Sequence, residues 1–292
     1  MKLTSKRQIA CLLIILVFIV AAIPATAENS WRFVSMADSR GDTNGVNVQV
    51  FGKIIDLVNS ENPDLVLFEG DAFSGSKDDN GLISQMDTWL SVINRLNCSW
   101  YYSTGNHEII TKNSEMLVKS KIKMPMNGPS AVKELVYSFD HNNAHFVCLD
   151  SNKYGDAHRI QADWLASDLK ANKKPHIFVF AHEPAYPSGP HIGSSLDKFP
   201  VERDVFWSLL VKSGVGVYFC GHEHLYARSS HKGVLQIISG TCGAPIYSGF
   251  KGTIGAYHYV VVDVFKDHVS GVAKDDSGKV IDSWSYQLKA SR

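Results

Sequence analysis

Neither sign of charge prevails in this sequence: 29 lysines and arginines face 29 aspartates and glutamates over 292 residues. A polynucleotide-binding chain usually carries a basic excess, so nucleic acid is not expected as a partner. Disorder is marked by low hydrophobicity joined to high net charge. Both are missing, with 45% hydrophobic and 20% charged residues. Ten prolines and 22 glycines are too few for a collagen-like or low-complexity chain. No Cys-x-x-Cys pair occurs, which argues against a cysteine-built zinc site. Beyond residue 27 no apolar run is long enough to span a bilayer. What remains is a globular chain with a substantial core, long enough for one large domain or at most two.

The first residues follow the plan of a secretory signal peptide. Lys2, Lys6 and Arg7 give a basic start, residues 9–23 an apolar core, and Ala25-Thr26-Ala27 a small-residue cleavage site. The core is shorter than the roughly 20 residues a membrane-spanning helix needs. Cleavage is expected after Ala27, leaving residues 28–292 as one exported domain. Cys98, Cys148, Cys220 and Cys242 remain in it. An exported chain permits disulfides. Cys148 and Cys220, however, sit in apolar runs that read as buried strands, so buried free thiols are an equal expectation.

Short apolar runs alternate with amphipathic stretches. Residues 33–37, 65–68 and 100–102 read as strands. Between them, 46–59 and 82–96 read as helices with apolar residues at three- and four-residue spacing. Strand-helix-strand links this short predict parallel pairing. Farther on, 136–139 and 145–149 predict a hairpin around Asp140-His141-Asn142-Asn143. Residues 160–169 and 202–211 read as helices, 177–180 and 215–219 as strands, and nearly everything beyond 225 as β. Two mixed sheets packed together and flanked by helices accommodate this count. The Pro- and Gly-rich stretch 183–200 is long enough to be a functional loop.

Chemistry collects where the apolar runs stop. Asp38, Asp71, Asn106 with His107, His182, and His222 with His224 each follow a predicted strand. In an open α/β sheet, strand carboxyl ends converge on one crevice. Taken singly, each residue reads as a cap, a turn residue or a core histidine. Taken together, they bring carboxylate, amide and imidazole to one place. That mix suits Zn, Mn or Fe. Glycines directly precede Asp71, Asn106 and His222, allowing tight turns and close backbone approach. His222-Glu223-His224 in extended conformation would turn both imidazoles to one side.

Asp38-Ser39-Arg40, Gly70-Asp71, Gly105-Asn106-His107-Glu108, Ala181-His182 and Gly221-His222-Glu223-His224 resemble the ordered motifs of the calcineurin-like metallophosphoesterase superfamily, which includes the purple acid phosphatases. The resemblance implies a four-layer αββα sandwich with two mixed sheets and a binuclear metal site at the strand carboxyl ends. Carried over, Asp71 would bridge both ions. Asp38 and His224 would hold the first ion, and Asn106, His182 and His222 the second. His107 would face the phosphate, and a metal-bound hydroxide would attack it.

The sequence departs from that family at Arg40, where the first motif usually has histidine. Purple acid phosphatases also lack this histidine but place a tyrosine three residues after the bridging aspartate, and here that position is Ser74. Three outcomes stay open: a weakly held first ion, with Asp42 nearby in sequence; a one-ion enzyme in which Arg40 partly replaces the missing cation and grips phosphate; or a fold that binds without turnover. His191, in the Pro- and Gly-rich loop, is a further candidate for substrate contact. Tyr186, Tyr226 and Tyr247 are expected to pack, and His141 and His145 to take surface or packing roles. The leading expectation is an exported metal-dependent phosphoesterase acting on small phosphate esters, nucleotides among them, with His107 and Arg40 as catalytic residues. The alternative is a non-catalytic or weakly active binding module at the cell surface.

Overall fold

Side chains alternate between two apolar clusters along the inner strands, and that alternation sets the layers of the fold. In β1 (Trp31–Met36), Phe33 enters one cluster while Val34 and Met36 enter the other. The short strand β2 (Arg40–Thr43) and helix α1 (Val48–Glu61) follow. In β3 (Leu65–Phe68), Leu65 and Leu67 turn one way, Val66 and Phe68 the other. Helix α2 (Asp79–Ile93), strand β4 (Ser99–Tyr102) and helix α3 (Ser114–Lys121) come next. The hairpin of β5 (Tyr137–His141) and β6 (Ala144–Cys148) leads to α4 (Ala162–Ala171), β7 (His176–Phe180), α5 (Pro200–Ser213) and β8 (Val217–Cys220). The remainder is β: β9 (Tyr226–His231), β10 (Val234–Ser239), β11 (Thr253–Ile254), β12 (His258–Val264), β13 (His268–Asp275) and β14 (Val280–Gln287). The structure, a computed structural model, describes residues 30–288. The expected signal peptide lies outside the described residues.

Two mixed sheets result. One runs β14-β13-β12-β1-β3-β4, the other β11-β9-β10-β8-β7-β6-β5. As expected from the short links, β1, β3 and β4 pair in parallel, as do β6, β7, β8 and β10. The sheets meet through aromatic rings. Phe33 of the first sheet lies edge-on to Phe146, Phe178 and Phe219 of the second, at centroid distances of 5.3, 5.0 and 5.7 Å. Such pairs add about 0.5–1.5 kcal/mol each beyond their buried area. The outer faces carry helices. Trp89 of α2 packs on Phe68 and Tyr102, and Phe206 of α5 on Tyr218. The fold is the expected α/β sandwich of two mixed sheets between helices.

Some details differ from the sequence reading. Helix α3 was not anticipated, because only Ser114 and Val118 of its eight residues are buried and no apolar stripe marks it. The expected four-residue hairpin link contracts to Asn142-Asn143, since β5 and β6 pair through Asp140 and His141. Asn142 takes the left-handed conformation, φ 48°, which asparagine tolerates. Cys98, Cys148, Cys220 and Cys242 are all free, and all but Cys98 are buried. No helix among the described residues is long and apolar enough to cross a membrane.

His141 packs edge-on against Trp31. His145 does more than pack. Its Nδ1 lies 2.7 Å from Asp140 and its Nε2 2.8 Å from Asp168. Both carboxylates accept, so both nitrogens donate and the ring carries charge. Burial opposes that charge, but the two carboxylates outweigh it and raise the pKa of His145. A histidine raised on folding stabilises below its unfolded pKa, and the benefit fades as pH climbs through the folded value. His145→Gln is therefore expected to cost about 2 kcal/mol near pH 5.5 and clearly less at pH 8.5. Thermal unfolding at the two pH values measures the difference.

Candidate metal centre

The loops that follow β1, β3 and β8 share a backbone device. Asp38, Asp71 and His222 all adopt left-handed φ, at 59°, 51° and 70°. Non-glycine residues in that region cost about 1–3 kcal/mol each and gather where geometry is imposed by function. Main-chain bonds hold the loops in register: the amides of Asp38 and Ser39 donate to the carbonyls of Gly70 and Asp71, both at 3.0 Å. Two glycines are needed for space. A Cβ at Gly105 would collide with Asp71, and one at Gly221 with Asp38.

Four donor atoms from four loops converge. His182 Nε2 lies 3.3 Å from Asp71 Oδ1, 3.1 Å from Asn106 Oδ1 and 3.2 Å from His222 Nδ1. His182 Nδ1 is 2.7 Å from the carbonyl of Glu69. A carbonyl only accepts, so the proton sits on Nδ1 and the Nε2 lone pair points at the other three atoms. Burial, and after it the nearby His182, push the pKa of His222 well down, so its ring is neutral. Lone pairs facing one another in a buried pocket repel unless a cation lies among them. Two oxygens and two imidazole nitrogens fit Zn, Mn or Fe. Asp38, Asp71 and His182 also offer ligand atoms within 4.8 Å of one another.

The adjoining position is different. His224 Nε2 lies 3.5 Å from Asp38 Oδ1, and the Arg40 guanidinium stands beside His224 and Asp71: Nη2 is 3.3 Å from His224 Nε2, and Nε is 3.7 Å from Asp71 Oδ2. The carbonyl of Pro245 accepts from His224 Nδ1 at 2.8 Å, leaving Nε2 free to accept from Arg40. Burial and the Arg40 charge push His224 down to about 3. Burial and the neighbouring Asp71 push Asp38 well up, against the pull of Arg40. Ser74 turns its hydroxyl to the carbonyls of Gly41 and Gly45, and Asp42 is exposed on β2.

His222 and His224 do turn to the same side, but not for the expected reason. The segment is bent, not extended. The amides of Glu223 and Leu225 donate two residues back, to Gly221 at 2.8 Å and Glu223 at 2.6 Å. These tight turns, with His222 left-handed, bring both rings to the centre.

His107 stands at the mouth. Its Nδ1 is 2.9 Å from the carbonyl of Ser74, its Nε2 is 3.8 Å from Asp71 Oδ2, and its side chain is 30% exposed. Its own amide donates to Asp71 Oδ1 at 3.0 Å. Glu108, next along, was not singled out from sequence. It is fully buried and accepts from the amides of Asp71, Ala72 and Gly105 at 3.2, 2.6 and 2.8 Å. Burial and Asp71 push Glu108 up to about 8. One side chain thus fixes two of the loops that bear donor atoms. Glu108→Ala strips three buried amides of their acceptor and is expected to cost at least about 3 kcal/mol. Urea unfolding measures the loss, and Glu108→Gln should recover part of it.

Glu223 was also missed. It is buried and accepts from the amides of Gly189 and His191, at 3.1 and 3.2 Å, which ties the Pro- and Gly-rich loop over the centre. The His191 ring consequently lies 4.1 Å from that of His222, so His191 lines the site. Tyr247 stacks on His224 at 4.3 Å. Tyr186 stacks on His231, and Tyr226 donates to Asp282, each away from the centre.

Two mixed sheets between helices, crowned at the strand carboxyl ends by this cluster, define a metallophosphoesterase sandwich. The chain belongs to the calcineurin-like phosphoesterase family, whose model matches residues 41–226. It is 26% identical over 246 residues to tartrate-resistant acid phosphatase type 5 of Oryctolagus cuniculus, covering 73% of each chain. It is 26% identical over 204 residues to Fe(3+)-Zn(2+) purple acid phosphatase 12 of Arabidopsis thaliana, covering 62% of this chain and 42% of that one. Among solved structures it resembles the purple acid phosphatase PPD1 from yellow lupin seeds, with a TM-score of 0.70 and 18% identity over 89% of this chain and 54% of that one. The chain thus spans about half the length of the plant relatives and nearly three quarters of the rabbit protein.

Proposed function

We propose that this chain is an exported, metal-dependent phosphoesterase acting on small phosphate esters, nucleotides among them. The observation that carries the reading is the approach of Asp71, Asn106 and His222 to His182 Nε2, at 3.3, 3.1 and 3.2 Å, which gathers carboxylate, amide and imidazole donors in one place. In this reading those four side chains hold an ion of Fe, Mn or Zn, with Asp38 and His224 beside it. The ion supplies Lewis acidity to the phosphoryl group. The Pro- and Gly-rich loop, pinned by Glu223, narrows the access of water. The Arg40 guanidinium offers N–H groups to phosphate oxygens. His107 uses Nδ1 to anchor itself on Ser74 and presents Nε2 to the substrate. Protonated, that Nε2 hands its proton to the departing ester oxygen.

Metal analysis of purified protein, alongside a panel of phosphomonoesters, phosphodiesters and nucleotides, tests the reading. Turnover that follows metal content supports it. Folded, metal-loaded protein that hydrolyses none of the panel would establish the binding-module alternative. Export rests on the pattern of residues 1–27. N-terminal sequencing of the exported protein should begin near Glu28, and a chain that still starts at Met1 and stays with the membrane would overturn cleavage.

A further inference from the structure

Asp71 and His224 flank a cation that belongs to the chain, and Asp38 contacts His224 Nε2. Arg40 leaves β2 so that its guanidinium lies 3.3 Å from His224 Nε2 and 3.7 Å from Asp71 Oδ2, while His224 Nε2 is 3.5 Å from Asp38 Oδ1. Each feature of the pocket suits this occupant. The proton on His224 Nδ1 is spoken for by Pro245, so the ring presents an acceptor to Arg40. Tyr247 stacks on the ring and donates its amide to the carbonyl of His224 at 2.8 Å, fixing its plane. Ser74 faces backbone carbonyls and supplies no further ligand. The Arg40 side chain is 21% exposed, which leaves part of the guanidinium open to the mouth.

We propose that Arg40 takes the place of a first metal ion, so that this chain is a one-ion phosphoesterase in which the guanidinium grips the substrate phosphate opposite the bound metal. The proposal rests on the function argued above and specifies its centre. A guanidinium keeps its charge at every working pH and has no lone pair for coordination. It gives Asp71 a counter-charge without metal, and it repels a second metal ion brought to the same place. It also forks onto phosphate oxygens as a metal ion cannot. His182 approaches Asp71 at Oδ1 and Arg40 at Oδ2, so the donors gathered at His182 Nε2 stay available for one ion.

Counting ions tests this without recourse to activity. Protein loaded with Mn²⁺ and freed of excess metal should carry one ion per chain, and calorimetric titration should show a single tight site. Arg40→His, which supplies an imidazole in place of the cation, should carry two. Arg40→Ala should keep its one tight ion but bind inorganic phosphate about 10- to 100-fold more weakly, the worth of charged hydrogen bonds. Circular dichroism checks that each variant folds, and the wild-type count decides the matter even if Arg40→His does not. Two tight ions in the wild type would overturn the proposal and leave the phosphoesterase reading standing. Unchanged phosphate affinity in folded Arg40→Ala would overturn the phosphate grip. No ion in the wild type or in either variant would overturn the metal-dependent function itself.

Discussion

Asp71→Asn protein is expected to fold, to bind no ion tightly, and to lose at least about 10³-fold in kcat/KM. Replacing a residue that only orients a ligand typically costs 10–100-fold, and Asp71 is proposed to donate directly. It also stands at the crossing of everything else in the centre. His182 lies 3.3 Å from one of its oxygens, Arg40 3.7 Å and His107 3.8 Å from the other, and the amide of His107 binds it. Asparagine keeps the shape and one acceptor but removes the charge that balances the cations around it. Chelation should silence the wild type, and added Mn²⁺ or Zn²⁺ should revive it. The variant should not revive. Full activity of Asp71→Asn after chelation would refute a metal mechanism.

His107→Ala is expected to lower kcat by about 10²–10⁴-fold, the usual worth of positioned proton transfer, and to leave metal content unchanged. The two effects separate because the imidazole and the amide of this residue do different work. The amide binds Asp71 and survives the substitution. The ring is anchored through Nδ1 on Ser74, and its Nε2 stands at the open side of the centre. Loss of bound metal from the variant would instead place His107 among the ligands.

The sequence revealed the positions of the site better than its conformation. Asp38, Asp71, Asn106, His182 and His222 could be found because parallel strands deliver their carboxyl ends to one edge, and an apolar run that stops at a polar residue marks that edge. Glu108 and Glu223 could not be found in this way. A carboxylate beside a candidate ligand looks like any other acid until the amides it accepts from are brought to it by folding. The bend at His222 was hidden for a related reason: left-handed φ at a non-glycine residue is imposed by surrounding contacts and has no signature in residue type. The onset of α5 was legible and overlooked. Pro200 at its first turn is a common helix start. Arg40 left three outcomes open in the sequence, and its distances to Asp71 and His224 are the ground of the one-ion proposal.

The centre lies on a seam. Asp71 and Asn106 extend from the first sheet, His182 and His222 from the second, and neither sheet alone carries more than two of the four donors. An ion held there would staple together, at their carboxyl ends, the two sheets that Phe33 joins by wedging against Phe146, Phe178 and Phe219. Because the donors meet only when the sheets have docked, such an ion recognises the assembled sandwich and not its separate halves, and mass action turns that preference into cohesion. Metal affinity in this chain is therefore also a gauge of how firmly its two sheets are joined.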